Sequence, residues 1–404
     1  MENKKKGISW TVCLFLTGVL ITSFVVCMPF VHGQTRPTEP KEKEPYKIGA
    51  TLALAGYAAA LGIASRNAVV MAIDEINKKG GIKGRKVEGI IYDNKSDDST
   101  AVLNAMKLVE KDKVDAVIVG SASSSSFAVA GSVDRLKTPL FYISPMTRLT
   151  KPVKLYNFSV VPCVDVEEKA RARWIKKQGY SKVALMWLTS PTAEEDIEYF
   201  GQEAKTFGLT IVANEQHKGN DTDMSVQLSK IAAVKPDVIW YVTYPQQGAI
   251  IARNIKSLGI KIPSLGCYGM TSEAWINIAK DAAEGWYGCV VSHGLGNQTP
   301  PWYPTYPIVK SYAESYHKRF GETITATSGN AYDSVYMIAA GLKEMKEEEE
   351  IAKRREKLAH TIENLEHFFA LNGPYYMSPN NHNGTGEWAI SIVKVVNGKM
   401  VIQN

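Results

Sequence analysis

A serine-rich loop is the part of this sequence whose residue types best suit the binding of an anion. Residues 120–126 read Gly-Ser-Ala-Ser-Ser-Ser-Ser, directly after a predicted strand at 116–119 and at the start of the next helix. The first N–H groups of a helix carry partial positive charge and serine hydroxyls add donors, so the loop could hold a carboxylate without Lys or Arg. Serine is equally a preferred N-cap residue, so this loop alone leaves both interpretations open.

A second donor-rich loop strengthens the anion hypothesis. Residues 144–150, Ser-Pro-Met-Thr-Arg-Leu-Thr, follow the predicted strand 140–143. In open parallel sheets, ligands bind beyond the carboxyl ends of the strands. The two loops are therefore predicted to converge on one anion site. A third loop, residues 53–62, consists mainly of small residues, which allow either the close approach of a ligand or tight packing.

The sequence contains no recognisable constellation for covalent catalysis. It has no G-x-S-x-G, no P-loop, no H-E-x-x-H and no G-x-G-x-x-G after the first predicted strand. Its histidines are scattered, and no Cys/His cluster has metal-ligand spacing. We therefore predict a protein that is not an enzyme and uses no cofactor or metal, with a nicotinamide-dependent enzyme as the disfavoured alternative. Cys267 and Cys289 could form a disulfide in an oxidising compartment or remain buried thiols.

Strand and helix patterns alternate along the chain from residue 46 onward. Apolar runs typical of buried strands lie at 47–54, 87–92, 116–119, 140–143, 183–187, 210–214, 238–243 and 285–291. Helical periodicity fills the gaps, for example at 100–111, 166–178, 195–207, 224–234 and 247–258. This alternation predicts an α/β fold built on doubly wound parallel sheets.

Two further elements are predicted near the end of the chain. Residues 333–357 are predicted to form one long helix, with a solvated face supported by the pairs Glu349–Lys353 and Glu350–Arg354. Residues 384–401 are predicted to form paired strands around an Asn397-Gly398 hairpin turn.

The N-terminus has the pattern of an export signal. Three lysines, at positions 4–6, precede a nearly continuous apolar run from 8 to 31, and small residues before Gln34 offer a cleavage site. Residues 1–33 are predicted to be a signal peptide, with a retained membrane anchor as the alternative, and residues 34–45 a linker. Part of the net charge of +6 lies in this segment and the rest is spread along the chain, so no nucleic-acid partner is predicted.

Several motifs resemble the branched-chain amino-acid-binding family of type 1 periplasmic solute-binding proteins. The first is the stretch 72–84, Ala-Ile-Asp-Glu-Ile-Asn-Lys-Lys-Gly-Gly-Ile-Lys-Gly, which closes the helix of a βαβ unit. The others are Tyr92-Asp93, Ser144-Pro145, Thr150, Asp-Ala-Ala-Glu-Gly at 281–285 and Ala-Tyr-Asp at 331–333. The similarity covers most of the chain after residue 46. It implies two flavodoxin-like (Rossmann-like) lobes joined by a three-strand hinge, lobe 1 comprising 46–162 and 293–371 and lobe 2 comprising 163–292 and 372–404.

The resemblance also implies where a ligand binds. Members of the family hold a ligand carboxylate with a serine of the first loop, here Ser123 or Ser124, and with the threonine that matches Thr147. The residue before that threonine, here Met146, offers its carbonyl to the ligand ammonium. Tyr244 matches a tyrosine at a strand end of the second lobe.

One departure from the family pattern bears on the ligand class. Tyr268 stands where amino-acid binders of the family place a glutamate, and a buried ammonium without a charge partner is strongly destabilised. We therefore predict a ligand that is a small amino acid or another small carboxylate or amide, with the missing acid counting against a standard α-amino acid. Tyr57, Tyr244 and Tyr268 would favour a flat or aromatic carboxylate, although each aromatic ring could serve packing alone.

The resemblance implies a role in transport. The chain is expected to be the extracytoplasmic, or periplasmic, solute-binding component of an ATP-binding-cassette importer. Hinge closure would bury the small ligand between the lobes, and the loaded protein would deliver it to the membrane permease subunits. A ligand-sensing receptor ectodomain is the alternative.

Overall fold

The computed structural model describes residues 43–267, 270 and 273–403. The predicted signal peptide, most of the predicted linker and the candidate ligand residue Tyr268 lie outside the described residues. None of the helices within the described ranges is long and apolar enough to cross a membrane.

The strands form two main sheets and one small one. A five-stranded sheet contains β1 (Tyr46–Leu52), β2 (Val87–Asp93), β3 (Ala116–Val119), β4 (Leu140–Tyr142) and β5 (Asn157–Ser159). A seven-stranded sheet contains β6 (Lys182–Leu188), β7 (Thr210–His217), β8 (Val238–Val242), β9 (Ser264–Gly266), β10 (Tyr287–Val291), β13 (Ile390–Val396) and β14 (Lys399–Ile402). A two-stranded ribbon pairs β11 (Phe368–Ala370) with β12 (Gly373–Tyr375).

The helices lie between these strands along the chain. They are α1 (Ala59–Lys78), α2 (Asp98–Glu110), α3 (Ser123–Ala130), α4 (Val133–Leu136), α5 (Val164–Lys177), α6 (Pro191–Phe207), α7 (Ser225–Ala233), α8 (Pro245–Ser257), α9 (Glu273–Ala279), α10 (Tyr306–Phe320), α11 (Ala326–Glu344) and α12 (Ile351–Glu363). Short 3₁₀ segments cover Thr147–Leu149, Lys280–Ala283, Ser292–Gln298 and Glu387–Ala389.

The first sheet is parallel throughout and has the order β2-β1-β3-β4-β5. Alternate residues of its strands enter different cores, because successive side chains of a strand point to opposite faces. Ile48 and Ile118 pack with α1 and α11 on one face, whereas Val117 and Val119 pack with α2 on the other. Both faces of the sheet are covered, as the apolar runs predicted.

The second sheet has the order β14-β13-β10-β9-β8-β6-β7. Its strands from β10 to β7 are parallel, and β13 and β14 add an antiparallel edge. The predicted hairpin is confirmed: Asn397 and Gly398 have φ values of 51° and 69°, the positive values that a tight type I′ turn requires. Its strands begin at residue 390 rather than 384, and residues 387–389 form a 3₁₀ turn instead.

The prediction of one helix over 333–357 is wrong. Helix α11 ends at Glu344 and α12 begins at Ile351, with Met345 in an extended conformation. Four successive glutamates at 347–350 would place like charges at the negative end of a continuing helix, which disfavours it.

The start of α12 is also not the solvated face that was predicted. Arg354 and Arg355 are buried, and Arg354 Nε lies 2.5 Å from Asp115 Oδ1. Arg355 Nε donates to the carbonyl of Val114 at 2.8 Å. These two arginines attach the helix to the first sheet, because their buried donors require acceptors.

The chain passes between the two sheets three times. It leaves β5 of the first sheet for α5 and the second sheet, and returns after β10 to α10 and α11, which pack on the first core. It passes again after β12 to reach β13. The α/β fold with two parallel-sheet lobes is confirmed, whereas the residue limits assigned to the lobes stay a prediction.

Candidate ligand-binding cleft

Three loops lie at one edge of the first sheet. They follow β1, β3 and β4, which are neighbours in a parallel sheet, so their carboxyl ends share an edge. The backbone N–H of Ala53 donates to Ser121 Oγ at 3.3 Å and joins the first loop to the second. The predicted convergence of the two donor-rich loops is present in the fold, and the small-residue loop lies at the same edge.

The two candidate serines of this loop have different hydrogen-bond partners. Ser144 Oγ donates to Ser123 Oγ at 3.0 Å, and the backbone N–H of Met146 donates to Ser144 Oγ at 3.4 Å. Ser124 Oγ instead donates to Asp98 Oδ1 at 3.0 Å, as does Ser125 Oγ at 2.7 Å. Ser123 thus faces the loop after β4, whereas Ser124 is committed to the start of α2.

The backbone around Ser123 supplies further donors. Helix α3 begins at Ser123, and its N-cap residue, Ala122, has no side chain able to cap it. The first intrahelical bond runs from Ser126 N to Ala122 O, so the earlier amides have no acceptor within the helix. An uncapped helix start beside a hydroxyl suits an anion, because the amides carry partial positive charge.

Thr147 is held by the second lobe. It is buried, its hydroxyl accepts from the backbone N–H of Asp165 at 3.2 Å, and it lies 3.4 Å from Asp165 Oδ1. The side chain of Met146 is buried in the core beside α2, and the Met146 carbonyl accepts from Leu149 N at 3.3 Å. In this arrangement both candidates hold the loop in place.

The small residues of the loop after β1 serve close packing. A Cβ on Gly62 would lie 1.8 Å from the carbonyl oxygen of Ala53, and Gly56 has a φ of 86°. Only glycine fits either position without strain. This part of the pattern is explained by the approach of α1 to the end of β1.

Two exposed tyrosines lie near each other, one in the loop after β1 and one at the start of α8. Tyr57, in the loop after β1, is 78% exposed, and Tyr244, at the start of α8, is 58% exposed. Partial burial raises the pKa of Tyr244, and the nearby Tyr57 phenol raises it further. Large exposed aromatic side chains beside a cleft are available to a ligand, whereas most other tyrosines of these lobes are packed in the cores.

Asp165, in the first turn of α5, and Glu195, near the start of α6, lie against the loop after β4. Lys151 Nζ lies 2.5 Å from Asp165 Oδ2. The backbone N–H of Arg148 donates to Glu195 Oε1 at 2.9 Å, and Arg148 Nε lies 3.4 Å from Glu195 Oε2. Burial raises the pKa of Glu195, and the amide and guanidinium of Arg148 oppose part of that rise. The sequence analysis did not single out Asp165, whose one signal was an acid at a helix start.

A buried polar network lies deeper in the second lobe. Glu168 accepts from Arg171 at 2.7 Å and from the indole N–H of Trp240 at 2.8 Å. Arg171 also donates to the carbonyls of Tyr241 and Leu265, at the ends of β8 and β9. Burial raises the pKa of Glu168 to about 7. The network pairs Glu168 with Arg171 and anchors α5 to β8 and β9.

The described cysteines and acids form neither a nucleophile site nor a metal site. Cys163, Cys267 and Cys289 are buried and form no disulfide among the described residues, and burial raises the pKa of Cys267 to about 12. A thiol with such a pKa is unreactive at neutral pH. Within the described residues, no group of three or more His, Cys, Asp or Glu side chains could hold a metal ion.

Comparison with known proteins gives a consistent result. Residues 45–399 match the family model described as periplasmic binding protein. The chain is 28% identical over 244 residues to the Leu/Ile/Val-binding protein BraC3 of Rhizobium johnstonii, covering 59% of this chain and 65% of that protein. It is 24% identical over 314 residues to the Leu/Ile/Val-binding protein of Escherichia coli, covering 77% and 82%. The BraC3 match thus spans less than two thirds of that relative's length.

Solved structures share the fold. An extracellular ligand-binding receptor from Rhodopseudomonas palustris HaA2 matches with a TM-score of 0.78 and 24% identity, over 89% of this chain and all of that one. The branched-chain amino acid transporter substrate binding protein LivJ from Streptococcus pneumoniae, solved in complex with isoleucine, matches with a TM-score of 0.75 and 24% identity over the same shares.

Proposed function

The chain belongs to the periplasmic binding protein family, and we propose that it is the extracytoplasmic solute-binding component of an ATP-binding-cassette importer. The ligand is a small carboxylate or amide held in the cleft between the two sheets. Relatives named as Leu/Ile/Val-binding proteins support the solute-binding role. The three passages of the chain between the sheets support hinge closure as the mechanism, since few segments must bend for the lobes to approach.

The position of Ser123 is the observation that carries the anion site. A relay of hydrogen bonds runs from Met146 N to Ser144 Oγ and on to Ser123 Oγ. Ser123 accepts the last of these bonds, so its own hydroxyl hydrogen stays available for a ligand oxygen. Charge-assisted hydrogen bonds from a hydroxyl and from helix-start amides are the stronger kind. Ser124 supports the site through its backbone, because its hydroxyl donates to Asp98.

The acids near the cleft support a ligand without an ammonium group. Asp165 is paired with Lys151 and Glu195 with Arg148, so neither carboxylate is left to neutralise a second cation. Tyr268 replaces the glutamate of the amino-acid binders. A ligand cation buried here without a partner would be destabilised by several kcal/mol.

The remaining candidates form the walls of the proposed site. Tyr57 and Tyr244 offer exposed rings from the two lobes, and Tyr268 adds a third phenol by its place after β9. Thr147 and the Met146 carbonyl belong to the loop side of the proposed site. Three aromatic rings favour a flat ligand, since stacked or edge-to-face contacts add to area burial.

The proposed partners are the membrane permease subunits of the importer. The proposed location is the periplasm or another extracytoplasmic space. Export would rest on residues 1–33, as a cleaved signal or as a membrane anchor. Closure would bring together lobe 1 (46–162 and 293–371) and lobe 2 (163–292 and 372–404), and present one closed surface to the permease.

Ligand identity can be tested directly. Native mass spectrometry of the exported protein, purified without refolding, is expected to reveal a bound small acid by its mass. In thermal-shift measurements, benzoate or a related aromatic acid should raise the melting temperature, since a ligand at 100 times its Kd adds about 2.7 kcal/mol. Leucine and valine at millimolar concentration should give no shift. A large shift with leucine and none with aromatic acids would contradict the proposed ligand class.

A further inference from the structure

The contact between Arg148 and Glu195 crosses from one sheet layer to the other. Arg148 lies in the loop after β4 of the first sheet, and Glu195 lies near the start of α6, between β6 and β7 of the second. Glu195 receives the Arg148 backbone N–H at 2.9 Å and the Arg148 guanidinium at 3.4 Å. The side chain of Glu195 is 3% exposed, whereas that of Arg148 is 37% exposed.

We propose that Glu195 is an interlobe latch, a second-lobe carboxylate that holds the first-lobe loop 144–151 and stabilises the closed arrangement before a ligand enters. The inference rests on the proposed hinge closure. Glu195 would thereby set the equilibrium between the open and closed forms, a role that is separate from contacting the ligand.

The cost of removing the Glu195 carboxylate from water favours a latch over a contact that has no effect on closure. Burying a lone carboxylate is costly, and a nearby cation offsets part of that cost. Glu195 Oε1 accepts the backbone N–H of Arg148, and Glu195 Oε2, which has no hydrogen bond, faces the Arg148 guanidinium as an ion pair at 3.4 Å. In the proposed latch, both groups return to water when the lobes separate.

A second bridge supports the first. Lys151 Nζ lies 2.5 Å from Asp165 Oδ2, and the hydroxyl of Thr147 accepts from Asp165 N. Asp165 directly follows the first passage of the chain between the sheets, so this bridge lies near the hinge. Glu195, in the next helix, holds the same loop from another element. Two anchors on one loop restrict its rotation relative to the second lobe.

The loop held by the latch carries the proposed ligand contacts Met146 and Thr147. A latch that closes the lobes early would preorganise these contacts, and preorganisation lowers the cost of binding. The apparent affinity is the intrinsic affinity multiplied by the fraction of molecules in the binding-competent form. A shift of the equilibrium toward the closed form therefore raises it. Glu195 is therefore expected to alter affinity as a positioning residue.

The latch is tested by measuring the distance between the lobes without ligand. Spin labels are attached to Leu103→Cys in α2 and Val226→Cys in α7, both exposed positions on different lobes. The native cysteines among the described residues are buried and resist labelling. Glu195→Gln and Arg148→Gln should each shift the distance distribution toward longer values, with the closed-to-open ratio falling by about tenfold.

The matched control is Glu194→Gln, an exposed acid one position earlier on the same helix. It should leave the distances unchanged. If Glu195→Gln fails to fold, Arg148→Gln still tests the latch, because Arg148 is partly exposed. Distances that stay the same in the folded variants would overturn the latch. This result is independent of ligand identity: if no solute bound the wild-type protein, the proposed transport role would fail while the ligand-free distances would still report on the latch.

Discussion

Asn372 Oδ1 lies 2.7 Å from Nδ1 of His293, and this contact joins the turn between β11 and β12 to the second passage between the sheets. The amide of Asn372 also donates to the carbonyl of Val160, in the first passage, at 2.8 Å. One fully buried side chain thus connects the first two passages. Asp333 supports the same node by accepting from the backbone N–H of Asn372 at 3.1 Å and from Tyr375 Oη at 2.8 Å.

Replacing Asn372 with alanine is expected to lower the free energy of unfolding by about 2–4 kcal/mol, because several buried partners lose their hydrogen bonds together. Urea denaturation followed by circular dichroism measures the change. The control is Asn364→Ala, which removes one exposed hydrogen bond to the carbonyl of His360 and should cost less than about 1 kcal/mol. Equal losses in the two variants would show that the node does not act as a unit.

The node also predicts opposite pH dependences for two of its members. Burial raises the pKa of Asp333 from 3.8 to about 7, so the folded chain binds the extra proton between those values and the free energy of unfolding falls as pH rises. Burial lowers the pKa of His293 from 6.5 to about 4, so the unfolded chain binds the extra proton and the free energy of unfolding rises with pH. Each slope is at most about 1.4 kcal/mol per pH unit.

These two contributions oppose each other in the wild-type protein between about pH 4 and pH 6.5. Asp333→Asn should therefore make stability rise more steeply with pH, and His293→Gln should make it fall. Glu168, whose pKa is also raised to about 7, is common to both variants and cancels in the comparison. Denaturant titrations at pH 4.5, 5.5 and 6.5 measure the slopes, and parallel slopes in the two variants would contradict the assignment.

The anion site predicts unequal effects from neighbouring serines. Ser123→Ala should weaken the binding of the identified acid by about 1–3 kcal/mol, because a hydrogen bond to a charged group is lost. Ser124→Ala should change affinity much less, because its hydroxyl is engaged with Asp98. Isothermal titration calorimetry gives both values, with melting temperatures of the ligand-free variants as the folding control. A larger loss in Ser124→Ala would transfer the site to that residue.

The buried thiols are expected to be chemically silent in the folded protein. Cys267 and Cys289 follow paired residues of adjacent strands, since Gly266 is in register with Gly288, yet they form no disulfide in the described part of the chain. Burial raises the pKa of Cys289 well above its usual value, so little thiolate forms at pH 8. Alkylation with iodoacetamide followed by peptide mapping should modify these residues only after unfolding. Recovery of a linked Cys267–Cys289 peptide would show that the disulfide alternative is correct.

The local pattern of the chain was enough to determine most of the fold. Every predicted strand lies on an observed one. A strand that is covered on both faces is apolar along its length, so an apolar run of strand length between helical segments is a reliable local signal. The Asn397-Gly398 turn was equally local, since only particular residues accept its positive φ values. Strands β5 and β9 were missed because three residues carry too little periodicity to be recognised.

Tertiary structure alone decided which residues meet at the candidate site. The sequence could not separate Ser123 from Ser124, because both suit a helix start and only the positions of Ser144 and Asp98 distinguish them. It gave no sign that Arg148 would meet Glu195, or that Arg354 would be buried against Asp115. These pairs are far apart in the chain and depend on how the layers pack. Hydrogen bonds and ion pairs of that kind follow from long-range geometry, which local periodicity does not encode.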